Sequence, residues 1–155
     1  MNDVLTIRRA RAGDEYAITA LVRSDRLNPL DLDWRRFVLA VDESGIVGAV
    51  QLRWHDDDSR ELASLIVRDT ARGRGVAARM IERLLAPTAT RVWMITGAAF
   101  AHHYARWGFQ PVAASDAPAG VRRNYHLGRI VGGLLSRLRG RAPRALAVLQ
   151  RPAPR

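Results

Sequence analysis

The run Arg72-Gly73-Arg74-Gly75-Val76-Ala77 has the densest chemical content in the chain. It follows a β-rich stretch, Leu62 to Val67, and opens a helical pattern. Glycines at 73 and 75 allow left-handed backbone and let a ligand approach the main chain closely. Free N–H groups at a helix N-terminus hold phosphate. Arg72, Arg74 and Arg79 add positive charge nearby. The Gly-Lys-Ser/Thr ending of a nucleotide P-loop is missing, and the G-x-G-x-A spacing is not a dinucleotide fingerprint. The residues alone leave two readings, a phosphate cradle and a plain strand-to-helix turn.

Other chemistry is narrowed by what the chain lacks. Its 155 residues include no cysteine, which excludes disulfides, a thiol nucleophile and Cys-ligated metal centres. The four histidines, at 55, 102, 103 and 126, show no HExxH-type spacing, so no metal is expected. His55 borders the acidic run Asp56-Asp57-Asp58 and reads as its counter-charge; that run reads as a solvated loop. His102 and His103 read as a surface pair. Trp34, Trp54 and Trp93 read as core or cleft-lining residues.

The elements that must position these residues follow from apolar periodicity. Val4–Arg8 alternates as a first strand, and Tyr16, Ile18, Leu21 and Val22 give one face of a helix. Segments 36–41, 46–54 and 62–67 are strands joined by the polar turns 42–45 and 56–60, an antiparallel meander. Val76, Met80, Ile81, Leu84 and Leu85 then share a helical face, and Arg91–Ile95 is a buried-type strand. That β-helix-β order implies a right-handed crossover between parallel strands. A short helix over 98–107 closes at Gly108, a strand follows over 109–113, and another over 145–149. The expected organisation is one α/β domain over residues 1–151, with 152–155 a loose tail.

Charge is uneven. All 25 basic residues are arginine, and residues 117–155 hold nine of them with no acid. Leu127, Ile130, Val131, Leu134, Leu135 and Leu138 follow helical spacing, weakened by Gly128, Gly132 and Gly133. This leucine face is expected to pack on the domain and leave Arg122, Arg123, Arg129 and Arg137 in water. Apolar stretches fall short of the roughly 20 residues that span a bilayer. The first residues lack a basic start followed by an apolar run, so a cytoplasmic protein is expected.

Two segments carry a family resemblance. Glu61 to Ala77 resembles the central motif of the GNAT superfamily of acyl-CoA-dependent N-acetyltransferases, R/Q-x-x-G-x-G/A, here Arg72, Gly75 and Ala77. Phe100 to Phe109 resembles the family's second signature, aromatic-Tyr-x-x-x-Gly-Phe, with Tyr104, Gly108 and Phe109. Their order and the surrounding elements match over residues 4–113. The late strand resembles a variant found in the N-acetylglutamate-synthase-like branch. The resemblance implies a mixed sheet whose parallel pair, 62–67 and 91–95, splays around acetyl-CoA. It places the pyrophosphate on Arg72, Gly73, Arg74, Gly75, Val76 and Ala77, and the pantetheine arm on the backbone of Leu65, Ile66 and Val67. Tyr104 matches the tyrosine that protonates the departing thiolate. Glu61 stands where the histone-acetylating branch carries its glutamate base, which acts through a water. An asparagine that many relatives carry after the strand 91–95 is replaced here by Thr96-Gly97-Ala98-Ala99.

The expected activity is transfer of an acetyl group to a primary amine of a small molecule or protein, with acetyl-CoA as co-substrate and no metal. Two other readings stand beside it. One is a basic module using residues 122–144 against nucleic acid or an anionic membrane; the other is a CoA-binding regulator without catalysis. A homodimer is also left open.

Overall fold

Asp42 fixes the first hairpin. Its carboxylate accepts from the Ser44 backbone N–H at 2.8 Å and the Ser44 hydroxyl at 2.6 Å, and Gly45 takes φ +111°. This turn joins β2 (Phe37–Asp42) to β3 (Gly45–Trp54), antiparallel with Phe37 opposite Gln51. β1 (Thr6–Arg9) pairs antiparallel with the other edge of β2, and β4 (Arg60–Val67) lies beside β3. The meander read from the sequence is therefore present. The computed structural model describes residues 4–155, so the first three residues of the expected domain lie outside the described residues.

The described chain falls into two compact units. The first takes residues up to Arg53 together with Leu62–Thr88. Phe37 to Ala40 are all buried, so this part of β2 is covered on both faces. One face packs on α1 (Glu15–Ser24): Ile18, Leu21 and Val22 join Phe37, Leu39, Ala49 and Ile66 in one cluster. Each such side chain, fully buried, contributes about 1.5–3 kcal/mol. Tyr16, expected on that helical face, is 86% exposed; it stands on the solvent side of α1. The other face receives α2 (Val76–Leu85), with Val76, Met80, Ile81, Leu84 and Leu85 buried as the spacing predicts. Gly48 permits this close approach, because a Cβ there would sit 2.9 Å from Met80 Cε.

The second unit takes Trp54–Glu61 and Ala89–Arg155. β5 (Val92–Gly97) pairs antiparallel with β7 (Leu146–Arg151), which pairs antiparallel with β6 (Gln110–Val112). The last strand thus lies between two earlier ones. A 3-10 helix, Ala98–Trp107, follows β5 and ends at Gly108, whose φ of +84° needs glycine. Trp93, Ala117, Val121 and Val148 form the core of this unit.

α3 (Ala119–Leu138) departs from expectation in two ways. It begins eight residues before the leucine pattern, since Gly120 and Val121 are its buried anchors. Its leucine face does not pack on the domain: Leu127, Ile130, Val131, Leu134, Leu135 and Leu138 are all exposed. Periodicity shows that a stripe is apolar; it does not say that anything covers it.

Candidate active site

In the first unit, Val67 leads through a 3-10 turn, Asp69–Ala71, into the glycine loop. Gly73 and Gly75 take φ +75° and +69°, and a Cβ at either would meet nothing within 4 Å. The loop surface is thus open, and Gly75 is the N-cap residue of α2. No acidic residue stands in the first turn of α2, so its positive end is uncompensated by the helix itself. The Arg72 guanidinium binds the Val67 carbonyl at 3.3 Å and pairs with Asp69 at 3.1 Å, both side chains well exposed. Arg79 donates to the Leu5 carbonyl at 3.3 Å. Arg68 and Arg74 lie near Asp42 and help hold its carboxyl below its ordinary value, after the two Ser44 hydrogen bonds. A compact anion would find donors and positive charge here, with nothing to displace.

Within β4, Ser64 takes φ +54°. A side-chain-bearing residue rarely adopts this, and such outliers gather at binding sites. Gln51 Nε2 donates to Ser64 Oγ at 2.9 Å. No residue type marked Ser64 for this in the sequence.

The second unit holds the titratable side chains. His55 Nε2 and Glu61 Oε2 are 2.7 Å apart, with both side chains buried. Asn124 Nδ2, from α3, donates to the same Glu61 oxygen at 3.1 Å. His55 is therefore the buried partner of Glu61 and also acts, more weakly, on the Asp57 carboxyl of the acidic loop. The turn between them is anchored through Asp57, which accepts from the Gly120 backbone N–H at 2.8 Å. That bond and those from Ser59 lower the Asp57 carboxyl to about 2. Asp57 is thus a clamp on the start of α3 and not a free loop charge. Gly120 is required at the contact, since a Cβ would lie 2.6 Å from the His55 Cβ and Cγ.

Tyr104 is half-buried on the 3-10 helix, with its ring against Trp107 and Phe109 at centroid distances of 6.0 and 6.5 Å. Burial raises its phenol above the ordinary value, and a hydrogen bond with Thr96 offsets part of this. Thr96, which stands in the segment lacking the family asparagine, thereby touches the site tyrosine. His102 and His103 are exposed, with rings 4.0 Å apart, as a surface pair. Trp93 is buried and Trp34 packs on the first core, but Trp54 is 51% exposed, covered on one side by the Arg60 guanidinium at 4.1 Å.

Sequence reasoning put Leu65–Val67 and Arg72–Ala77 in one cradle, and both belong to the first unit. It named Glu61 and Tyr104, which belong to the second. It missed Asn124, 63 positions beyond Glu61, for which no local signal exists. Among the described residues no group of three or more His, Asp or Glu is placed to hold a metal ion, and no helix is long and apolar enough to cross a membrane.

Residues 33–111 match the family model of the acetyltransferase (GNAT) domain. No curated protein matches the chain. Among solved structures, N-acetylglutamate synthase from Neisseria gonorrhoeae, complexed with coenzyme A and N-acetyl-glutamate, is similar over 100% of this chain. The TM-score is 0.69 at 22% identity, and the chain spans only 36% of that synthase. A Mycobacterium tuberculosis protein in complex with CoA matches over 96% of this chain and 99% of its own, with TM-score 0.68 and 23% identity. Escherichia coli ElaA matches over 96% and 99%, with TM-score 0.65 and 14% identity. These likenesses establish the fold, the mixed α/β arrangement expected from the sequence.

Proposed function

The chain belongs to the GNAT acetyltransferase family, and from that premise we propose that it moves an acetyl group from acetyl-CoA to a primary amine by direct attack. The observation that carries this reading is the open glycine loop before α2, with left-handed Gly73 and Gly75 and arginines around them. Arg72, Gly73, Arg74, Gly75, Val76 and Ala77 hold the pyrophosphate through backbone N–H groups. The backbone of Leu65, Ile66 and Val67, next to left-handed Ser64, pairs with the pantetheine arm as an added strand would. The solved relatives complexed with coenzyme A support this choice of co-substrate.

Acetyl-CoA supplies an activated acyl group. The amine nitrogen bonds to its carbonyl carbon and the C–S bond breaks; the ammonium nitrogen loses one proton before attack, which leaves through the base to solvent, and a second on becoming the amide, which restores the acid that has protonated the thiolate. The ammonium proton goes to Glu61 through a water. His55 and Asn124 both engage Glu61 Oε2 and so fix the carboxylate's orientation. The departing thiolate takes its proton from Tyr104, whose burial keeps the phenol protonated. A cytoplasmic site of action and a small-molecule or protein amine as acceptor belong to the same proposal.

The test is free-thiol release from acetyl-CoA against a panel of primary amines and amino acids. Amine-dependent release is expected. Saturable acetyl-CoA binding with no release for any amine would leave a CoA-binding regulator instead.

A further inference from the structure

The outer face of α3 is the largest unexplained feature of the molecule. Leu127, Ile130, Val131, Leu134, Leu135 and Leu138 are 41%, 69%, 47%, 59%, 39% and 76% exposed. Their spacing puts them on one stripe. Gly128 lies about a quarter-turn away, where a Cβ would sit 3.3 Å from Leu146 Cδ1. The helix thus meets β7 at Gly128, whereas a Cβ at Gly132 or Gly133 would meet nothing within 4 Å, and the exposed stripe faces outward. Gly128, Gly132 and Gly133 weaken the helix, so an apolar surface covering the stripe would also secure the helix.

Charge selects the occupant. Arg122, Arg123, Arg129, Arg137, Arg139, Arg141 and Arg144 lie on or just beyond α3, and residues 117–155 contain no acid. A second copy seated stripe to stripe would set arginine against arginine with nothing to neutralise them. Nucleic acid would satisfy the arginines and leave six apolar side chains in water. An anionic bilayer satisfies both, with headgroup phosphates for arginine and the acyl boundary for the stripe. The helix would lie on the surface, since it is not apolar enough to cross.

We propose that residues 127–144 bind anionic lipid bilayers, with the leucine stripe entering the interface and the arginines contacting headgroups. This goes beyond the acetyltransferase reading and does not depend on it.

The experiment is co-sedimentation of the full chain with two kinds of vesicle. One is phosphatidylcholine alone; the other is phosphatidylcholine with a third phosphatidylglycerol. Binding at least roughly tenfold tighter to the anionic vesicles is expected, weakening as salt rises. Arg137→Gln with Arg141→Gln should weaken it roughly 25-fold, about fivefold for each charge. Leu134→Ser with Leu138→Ser should weaken it at least roughly tenfold, with melting temperature and acetyl-CoA affinity unchanged. Several outcomes would overturn the proposal. They are absence of binding to anionic vesicles, loss in the arginine variant alone, or a wild-type dimer in solution that the serine variant dissolves. Unfolding of the serine variant would also overturn it, by showing that the stripe is packed. So would RNA binding at the same salt that the serine variant retains.

Discussion

The cofactor site proposed in the first unit is made of backbone, and the proton-transfer site proposed in the second is made of side chains. The glycine loop is open and exposed, and it leads directly into the N-terminus of α2. The His55–Glu61–Asn124 cluster is buried and joins residues from a strand end, a strand start and a helix. The first arrangement suits holding a large anion, since backbone donors need no conformational ordering. The second suits proton transfer, since it fixes one titratable group against another. Under the proposed roles, changes in the first unit should therefore move affinity, and changes in the second should move rate.

Tyr104→Phe gives the largest effect within the second unit: a fall in kcat of about 10²–10⁴-fold. Acetyl-CoA affinity should stay nearly unchanged, because the ring against Trp107 and Phe109 is retained. A comparable loss of affinity would break the division. Glu61→Gln should fall at the low end of the same range, roughly 10²-fold. Its deficit should be greatest at low pH, where few amines arrive neutral, and should shrink as pH rises. A kcat/KM profile that overlays wild type would remove Glu61 as the base and move attention to its partner His55.

Smaller effects separate support from chemistry. Gly120→Ala drives a methyl against the His55 ring, at a cost of about 1–3 kcal/mol. Thermal unfolding should show a fall of several degrees in Tm, at roughly 2–4 °C per kcal/mol. Asp57→Ala removes the clamp on α3 and should cost about 1 kcal/mol, limited by solvent screening. The Asp57 carboxyl titrates at about 2 in the folded chain against 3.8 unfolded, so its contribution is present above the unfolded value. It is lost as pH falls through the folded value. The stability gap between wild type and Asp57→Ala should therefore be constant from neutral pH to about 5 and narrow below 4. Leu134→Ser, on an exposed position, should change stability within about 0.5 kcal/mol.

The two sites were unequally legible in the sequence for a physical reason. A backbone site is local: two glycines and a helix start within six residues betray it, and Gly73 and Gly75 do take left-handed backbone. A side-chain site is assembled by folding. His55 and Glu61 are six positions apart, but Asn124 arrives from a helix whose early start the leucine pattern did not mark. Ser64 was invisible because its left-handed backbone belongs to no residue-type preference. The strands of the meander were legible because their short β-rich apolar runs are bounded by turn residues such as Asp42 and Gly45. The packing of α3 was not, because an apolar stripe reads alike whether it faces a core or water.

The proposed division rests most heavily on the glycine loop. The direct measurement is calorimetric titration of acetyl-CoA into wild type and Gly75→Asp. A Cβ at position 75 meets nothing within 4 Å, so the fold should persist at a strain of about 1 kcal/mol. The substitution places a carboxylate where the pyrophosphate is proposed to sit. Saturable binding to wild type is expected, with a loss of more than roughly 100-fold in a folded Gly75→Asp. Equal affinity in the two proteins would take Arg72–Ala77 out of the site and contradict the central claim.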